Sequence, residues 1–238
     1  MEDKNVLKNG CEFFHIPLSE MQEKQFQKYY EMLITWNQVM NLTAITDYDE
    51  VMQKHFVDSL SLVQGLDVSS CKTLIDVGTG AGFPGIPLKI MYPHLEVVLL
   101  DSLNKRVKFL NAVVEELGLK SIKAIHGRAE DIAKQKEYRE SFDLCVSRAV
   151  ANLSSLSEYC IPFLKKGGTF VSYKSGTVDE ELKKAKKAIF LLGGEKKKVI
   201  KFILPDSDIE RSLVIIQKVK GTPEKYPRKA GVPAKEPL

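Results

Sequence analysis

The chain has 238 residues, 44% of them hydrophobic and 28% charged, which suits one sizeable domain with an appendage; no apolar run approaches the ~20 residues of a membrane span. Cys11, Cys71, Cys145 and Cys160 form no C-x-x-C pair and no Cys/His cluster, and Glu2-Asp3-Lys4 leaves no apolar leader core, so a reduced, cytoplasmic, metal-free protein is expected. The net charge of +4 is unevenly spread: from Lys165 onward 18 Lys+Arg face 9 Asp+Glu, whereas the 164 residues before carry −5, a footprint either of a polyanionic partner or of solvated helix faces.

Residues 1–70 read as a helical extension with no strand pattern. A short helix is expected over Val6–Phe14, ahead of Pro17. Ser19-x-x-Gln22 is a capping-box signature that opens the next helix, whose apolar stripe is Phe26, Tyr29, Tyr30, Leu33, Trp36, Val39 and Met40. A further helix begins at Asp49, with His55 three residues before Asp58; a satisfied core or surface pair is the default reading of those two.

From Thr73 the chain alternates strands and helices, as in a doubly wound, mostly parallel sheet spanning residues 71–221. Strands are expected at Thr73–Val77, Glu96–Leu100, Ile122–Ile125, Asp143–Ser147, Thr169–Tyr173, Val199–Leu204 and Ser212–Lys218. The intervening helices fall at Ile86–Met91, Leu103–Leu117, near Asp131–Lys136, and at Leu153–Leu164 and Val178–Leu192. Only Pro205-Asp206-Ser207-Asp208 joins the last two strands, which are therefore antiparallel. The tail, residues 222–238, carries four prolines, six charges and few apolar residues and reads as extended and mobile unless a partner orders it.

The first strand runs into Asp76-Val77-Gly78-Thr79-Gly80-Ala81-Gly82-Phe83-Pro84-Gly85, a loop rich enough in glycine to let backbone approach a nucleotide-type ligand closely. Gly80-x-Gly82-x-x-Gly85 matches the dinucleotide fingerprint, but Pro84 lies inside it and has no N–H for a pyrophosphate. The register Asp76-x-Gly78-x-Gly80-x-Gly82 fits better. A carboxylate there repels a pyrophosphate and suits the ammonium and sulfonium of S-adenosylmethionine (SAM). Asp101, closing the second strand about 20 residues on, can hold ribose hydroxyls of either cofactor. The bland alternative is a tight turn that binds nothing.

Ligands of open α/β sheets sit at the carboxyl ends of strands, which points to His126-Gly127-Arg128-Ala129-Glu130 for an adenine edge and to Arg148 after the fourth strand. Arg148 can fork onto a carboxylate or phosphate, or close a helix by a salt bridge. Lys174, after the fifth strand, faces RNA phosphate or merely water. Lys105 and Arg106 stand in the first turn of a helix, where cations are mildly unfavourable and hint at an outside anion. H-E-x-x-H, G-x-S-x-G and a lysine-bearing phosphate loop are all absent.

Taken in order, Trp36-Asn37-x-x-x-Asn41-Leu42-Thr43, His55-Phe56-x-Asp58-Ser59, the Asp76–Gly85 loop, Asp101-Ser102-x-x-Lys105-Arg106, Arg128-Ala129-Glu130, Ser147-Arg148-Ala149-Val150-Ala151 and Tyr226-Pro227-Arg228-Lys229 resemble the small-subunit ribosomal RNA guanine-N7 methyltransferase family, also called glucose-inhibited division protein B. The resemblance spans nearly the whole chain. It implies a Rossmann-like class I SAM-dependent methyltransferase fold with a seven-stranded sheet, and SAM contacts at Gly78, Phe83, Ala129, Glu130 and Arg148. Its implied substrate is one guanine, number 527, in the decoding-region loop of 16S ribosomal RNA, naked or in the small subunit. The cofactor residues expected in all are Asp76, Gly78, Gly80, Gly82, Phe83, Asp101, Ala129, Glu130 and Arg148; Lys105, Arg106, Lys174 and Arg228 are the expected RNA contacts. The expected form is a monomer without metal. Rival readings are a non-catalytic RNA- or ribosome-binding protein, a SAM methyltransferase with a non-RNA substrate, and an NAD-dependent oxidoreductase.

Overall fold

A computed structural model describes residues 5–148 and 150–238. The helices are α1 (Val6–Phe13), α2 (Glu20–Met40), α3 (Tyr48–Val51), α4 (Asp58–Leu60), α5 (Gly85–Met91), α6 (Asn104–Glu116), α7 (Ala129–Ile132), α8 (Leu153–Cys160), α9 (Asp179–Leu191) and α10 (Val232–Lys235). The strands are β1 (Thr73–Val77), β2 (Glu96–Asp101), β3 (Ile122–His126), β4 (Phe142–Arg148), β5 (Leu164–Ser175), β6 (Gly194–Ile203) and β7 (Glu210–Lys218). They form one sheet in the order β3-β2-β1-β4-β5-β7-β6, in which β7 runs antiparallel to both β5 and β6 and the other pairs are parallel. The doubly wound, seven-stranded fold is thus the one the sequence predicts, down to the antiparallel final pair.

Side chains that alternate along each strand feed two cores. Leu74, Leu144, Val146 and Val171 point to one face; Ile75, Cys145 and Phe170 point to the other. Helices α1, α2, α5 and α6 bury their apolar stripes on the first face, and α8 and α9 cover the second. The Ser19/Gln22 capping box is present at the start of α2. Of the predicted α2 stripe, Phe26, Tyr29 and Leu33 are fully buried and Tyr30, Trp36 and Met40 partly so, but Val39 is exposed. Asp47 rather than Asp49 caps α3, and Met52–Val57 widens into π-helical turns between α3 and α4.

The tail does not match its expected mobility. Arg139 donates to the carbonyls of Thr222, Pro223 and Tyr226, Tyr226 is buried in the second core, and α10 lies against α8. Composition gave a mobile segment because so few of its residues are apolar. What holds it instead is a set of polar anchors on distant elements, which composition does not record.

Candidate functional site

Beyond β1 the chain turns back under its own strand ends. The N–H groups of Gly78 and Thr79 both donate to Leu100 O at the end of β2, at 2.8 and 3.1 Å. Gly78, Gly80 and Gly82 take φ of +71°, +63° and +100°, a region that favours glycine. A Cβ at Gly78 would meet Val150 Cγ2 at 2.5 Å, and one at Gly82 would meet Tyr29 Oη at 2.5 Å. At Gly80 a Cβ would meet nothing within 4 Å among the described residues. Gly82 is therefore required by packing against buried side chains, Gly78 meets only the exposed Val150, and Gly80 borders open space.

Asp76 lies beneath this loop and is fully buried. Its Oδ2 accepts from Thr79 Oγ1 at 2.7 Å and from Gly85 N at 2.8 Å; Oδ1 is buried with no hydrogen-bond partner among the described residues. Burial, against those two hydrogen bonds, raises its pKa to about 7. The expectation that Asp76 reaches directly into the ligand space is corrected here: it props the loop from below and lines neither cavity described next. The start of α5 is likewise engaged by the protein, since Gly85 N–H goes to Asp76 and Ile86 N–H to Gly82 O.

Two cavities open at the carboxyl ends of the strands, and Gly78 borders both. The smaller, about 200 Å³, is flanked by Leu100, Asp101, Ala129, Glu130, Val150 and Tyr159. Asp101 Oδ2 accepts from Gly80 N at 2.9 Å and from Arg106 Nη1 at 3.3 Å, and Oδ1 accepts from Leu103 N at 2.9 Å. This is where the sequence places a ribose-holding carboxylate and an adenine edge.

The larger cavity, about 650 Å³, is built around Arg148. Its guanidinium lies 5.2 Å from the Phe83 ring centroid and donates through Nη1 to Asp58 Oδ2 at 2.8 Å. His55 stacks on the same Phe83 ring, with centroids 4.5 Å apart and an interplanar angle of 15°. Burial and then Arg148 lower the His55 pKa to about 3, so the ring is neutral; Nδ1 then accepts from Arg148 Nη2 at 3.3 Å and Nε2–H donates to Thr43 Oγ1 at 2.9 Å. Asp58, almost fully buried, also accepts from Arg211 Nε at 2.9 Å. Five cationic side chains (Lys54, Arg106, Arg148, Lys174 and Arg211) border this cavity and are paired with the four carboxylates of Glu50, Asp101, Asp58 and Glu181, which leaves one positive charge in excess. That excess of positive charge suits an anion.

Gly78, Gly80 and Phe83 thus come together with Arg148 at one cavity and Gly78, Asp101, Ala129 and Glu130 at the other. Of the expected RNA contacts, Lys174 borders the larger cavity but is tied to Glu181 at 2.7 Å and Ala151 O at 2.8 Å, and Lys105 reaches Met40 O at 3.1 Å. Arg228 is corrected: it forks onto the fully buried Glu158, with Nη2 2.7 Å from Oε2 and Nε 3.0 Å from Oε1, and is a structural tie. Sequence reasoning missed His55, Asp58 and Arg211 as members of the site. The first two sit three residues apart because together they seat Arg148, not each other; nothing local announces Arg211, 153 residues from its carboxylate partner.

A family model for rRNA small subunit methyltransferase G matches residues 22–213, well over half of the chain. The chain belongs to this family. Among curated relatives, the ribosomal RNA small subunit methyltransferase G of Lachnoclostridium phytofermentans is 54% identical, covering 100% of this chain and 98% of its own. That of Alkaliphilus metalliredigens is 50% identical over the full length of both. Solved structures share the fold at much lower identity. The protein bound to the Trm112 methyltransferase activator of Haloferax volcanii has a TM-score of 0.58 at 14% identity, covering 79% of this chain and 98% of its own. TrmN from Thermus thermophilus has a TM-score of 0.52 at 15% identity, covering 68% and 48%. The architecture is that of Rossmann-like class I SAM methyltransferases, and the family's matched span takes in the glycine loop, the Arg148 cluster and Arg211 while ending short of the tail.

Proposed function

We propose that this family member transfers a methyl group from SAM to N7 of a single guanine in the decoding-region loop of 16S rRNA, acting in the cytoplasm as a monomer. The observation that carries the reading is the pair of cavities meeting at Gly78, one flanked by a carboxylate and the other ringed by cations. The residues fit the cofactor. The open space beside Gly80 is one that a Cβ would enter without touching protein, and Gly80 itself borders the larger cavity. Asp101 would accept from ribose hydroxyls, Ala129 and Glu130 would meet the adenine, and Phe83 and Arg148 would hold the methionine end, with the guanidinium on its carboxylate. Bound there, SAM supplies an electrophilic methyl on a sulfonium.

Guanine N7 presents a lone pair and carries no proton, so the protein has no proton to remove. What remains for its side chains is alignment and electrostatic support. His55, held neutral between Thr43 and Arg148, is an orienting group. Arg211, Lys54 and Lys174 face the same cavity and would meet the phosphates of the target nucleotide. N7 lies on the major-groove edge, which A-form RNA makes inaccessible, so the target must be a loop base or a base drawn out of a helix.

The test is transfer of labelled methyl from SAM to small ribosomal subunits and to naked 16S RNA, both lacking the modification, with the product mapped by cleavage selective for N7-methylguanine. One labelled guanine is expected. No label in either RNA while SAM still binds would overturn the substrate assignment, and absence of SAM binding would overturn the whole reading.

A further inference from the structure

The tail is anchored around the smaller cavity, and two of its residues, Gly231 and Ala234, border that cavity. We propose that the C-terminal segment 229–238 is a component of the cofactor site, forming the outer wall of the pocket for the adenine nucleoside. This rests on the SAM reading of the paired cavities.

The wall is fixed at three points. The first is Arg228, whose backbone N–H donates to Glu158 Oε1 at 2.7 Å while its guanidinium forks onto both carboxylate oxygens. Glu158 is fully buried on α8, so the fork cannot open without stranding a charge. Arg228 Nη2 also donates to Glu236 O at 2.8 Å, folding the last residues back over the anchor. The second is Ser155 Oγ, which donates to Pro233 O at 2.6 Å. The third is Gly231 N–H, which donates to Glu130 Oε1 at 2.8 Å, with Gly231 at a φ of +85°.

The third contact joins the tail to the ligand space. Glu130 follows Ala129 at the start of α7, and both border the cavity along with Gly231. A nucleoside seated there would lie against the same two-residue step that secures the tail. Helix α10 has only four residues and cannot hold its own shape, so its place depends on these anchors and on what fills the cavity beneath it. Val77, Leu100, Val150 and Tyr159 supply the apolar remainder of the lining, which suits a flat heterocycle once the open side is closed. Enclosure raises affinity for the nucleoside end of the cofactor and leaves the methionine end, seated in the other cavity, unaffected.

Deleting residues 231–238 removes the wall and keeps the Arg228–Glu158 fork. Titration calorimetry with SAM, S-adenosylhomocysteine and adenosine alone is expected to show at least a tenfold loss of affinity for all three, adenosine included. Ala234→Trp in the full chain is the second variant. Ala234 is exposed, so the fold should keep its melting temperature while adenosine affinity shifts at least threefold in either direction. Amide exchange at Gly231 should also slow in the wild-type protein when adenosine is added. Unchanged adenosine affinity in the Ala234→Trp protein, together with unchanged exchange at Gly231, overturns the wall whatever the deletion does. Failure of the wild-type chain to bind any of the three ligands would instead overturn the SAM reading.

Discussion

Gly80 and Gly82 stand two residues apart at positive φ, yet their substitution should fail in different ways. Gly80→Ala forces a Cβ onto a left-handed residue at φ +63°, a cost of roughly 1–2 kcal/mol, but meets no described protein atom within 4 Å. Gly82→Ala carries a comparable backbone cost at φ +100° and also drives a Cβ to 2.5 Å from Tyr29 Oη and 2.6 Å from Ile86 Cδ1. Both neighbours are fully buried, and Tyr29 Oη is committed to Ala81 O, so overpacking adds roughly 1–3 kcal/mol. For a chain of this length each kcal/mol moves the melting temperature by about 2–4 °C. Gly80→Ala should therefore lose about 2–8 °C and Gly82→Ala about 4–20 °C. Ligand response separates them further. SAM at one hundred times its dissociation constant stabilises the wild-type protein by about 2.7 kcal/mol, or about 5–11 °C. Gly80→Val, which fills the open space, should abolish that shift in a protein that still unfolds cooperatively by circular dichroism. A Gly80→Val protein with the full SAM shift would refute the assignment of that space to the cofactor.

Other perturbations follow from single contacts. Arg228→Ala strands the buried Glu158 charge and should cost roughly 3–5 kcal/mol in urea unfolding; a loss under 1 kcal/mol would show that the fork is not needed. Asp76 carries a proton more readily folded, at a pKa of about 7, than unfolded, at 3.8, so its contribution is full below the unfolded value and is lost as pH rises through about 7. That contribution is on the order of 4 kcal/mol, and Asp76→Asn should flatten the decline in cofactor-free stability between about pH 4 and 7; an unchanged slope would assign it elsewhere. Asp58→Asn removes the charge shared by Arg148 and Arg211 and should lower kcat/KM on rRNA roughly tenfold to a hundredfold, the scale of one charge-assisted hydrogen bond, with full rate retained counting against the cluster.

The strand and helix alternation, the antiparallel final pair and the glycine loop are legible in the sequence because each follows from local rules: apolar runs broken by turns, a capping box at Ser19, and glycines ending an apolar run. The order of the strands across the sheet is not local and comes from the structure. Asp101 and Arg148 were readable by the same route, as the residues closing β2 and β4. What could not be read depends on pairs far apart in the chain. Asp58 meets Arg211 across 153 residues, Glu158 meets Arg228 across 70, and Glu130 meets Gly231 across 101. Asp76 illustrates a subtler gap. Its position in the motif was evident, but its direction, down into the loop's own N–H and hydroxyl groups, depends on where Thr79 and Gly85 end up after the turn. Arg228 misled for the converse reason: a basic tail reads as an RNA contact until a buried acid is found opposite it.

The Arg148 cluster also separates alignment from acid–base chemistry. Every member has at least two fixed partners: Phe83 packs against both His55 and Arg148, Arg148 bonds to Asp58 and His55, and His55 bonds to Arg148 and Thr43. The ordering entropy of these side chains is thus spent on folding, before any substrate arrives. His55 is the residue most easily mistaken for a general base. Its pKa of about 3, set by burial and the adjoining guanidinium, leaves it neutral near pH 7. His55→Phe keeps an aromatic face for Phe83 but leaves Arg148 Nη2 without its nitrogen acceptor, and should lower kcat about tenfold, the worth of one charge-assisted hydrogen bond. Because no proton passes through His55, the variant's pH–rate profile between pH 6 and 9 should run parallel to that of the wild-type protein. A profile whose acidic limb vanished in the variant would mean that His55 takes up a proton during the reaction, and the alignment argument would have to give way to general-base catalysis.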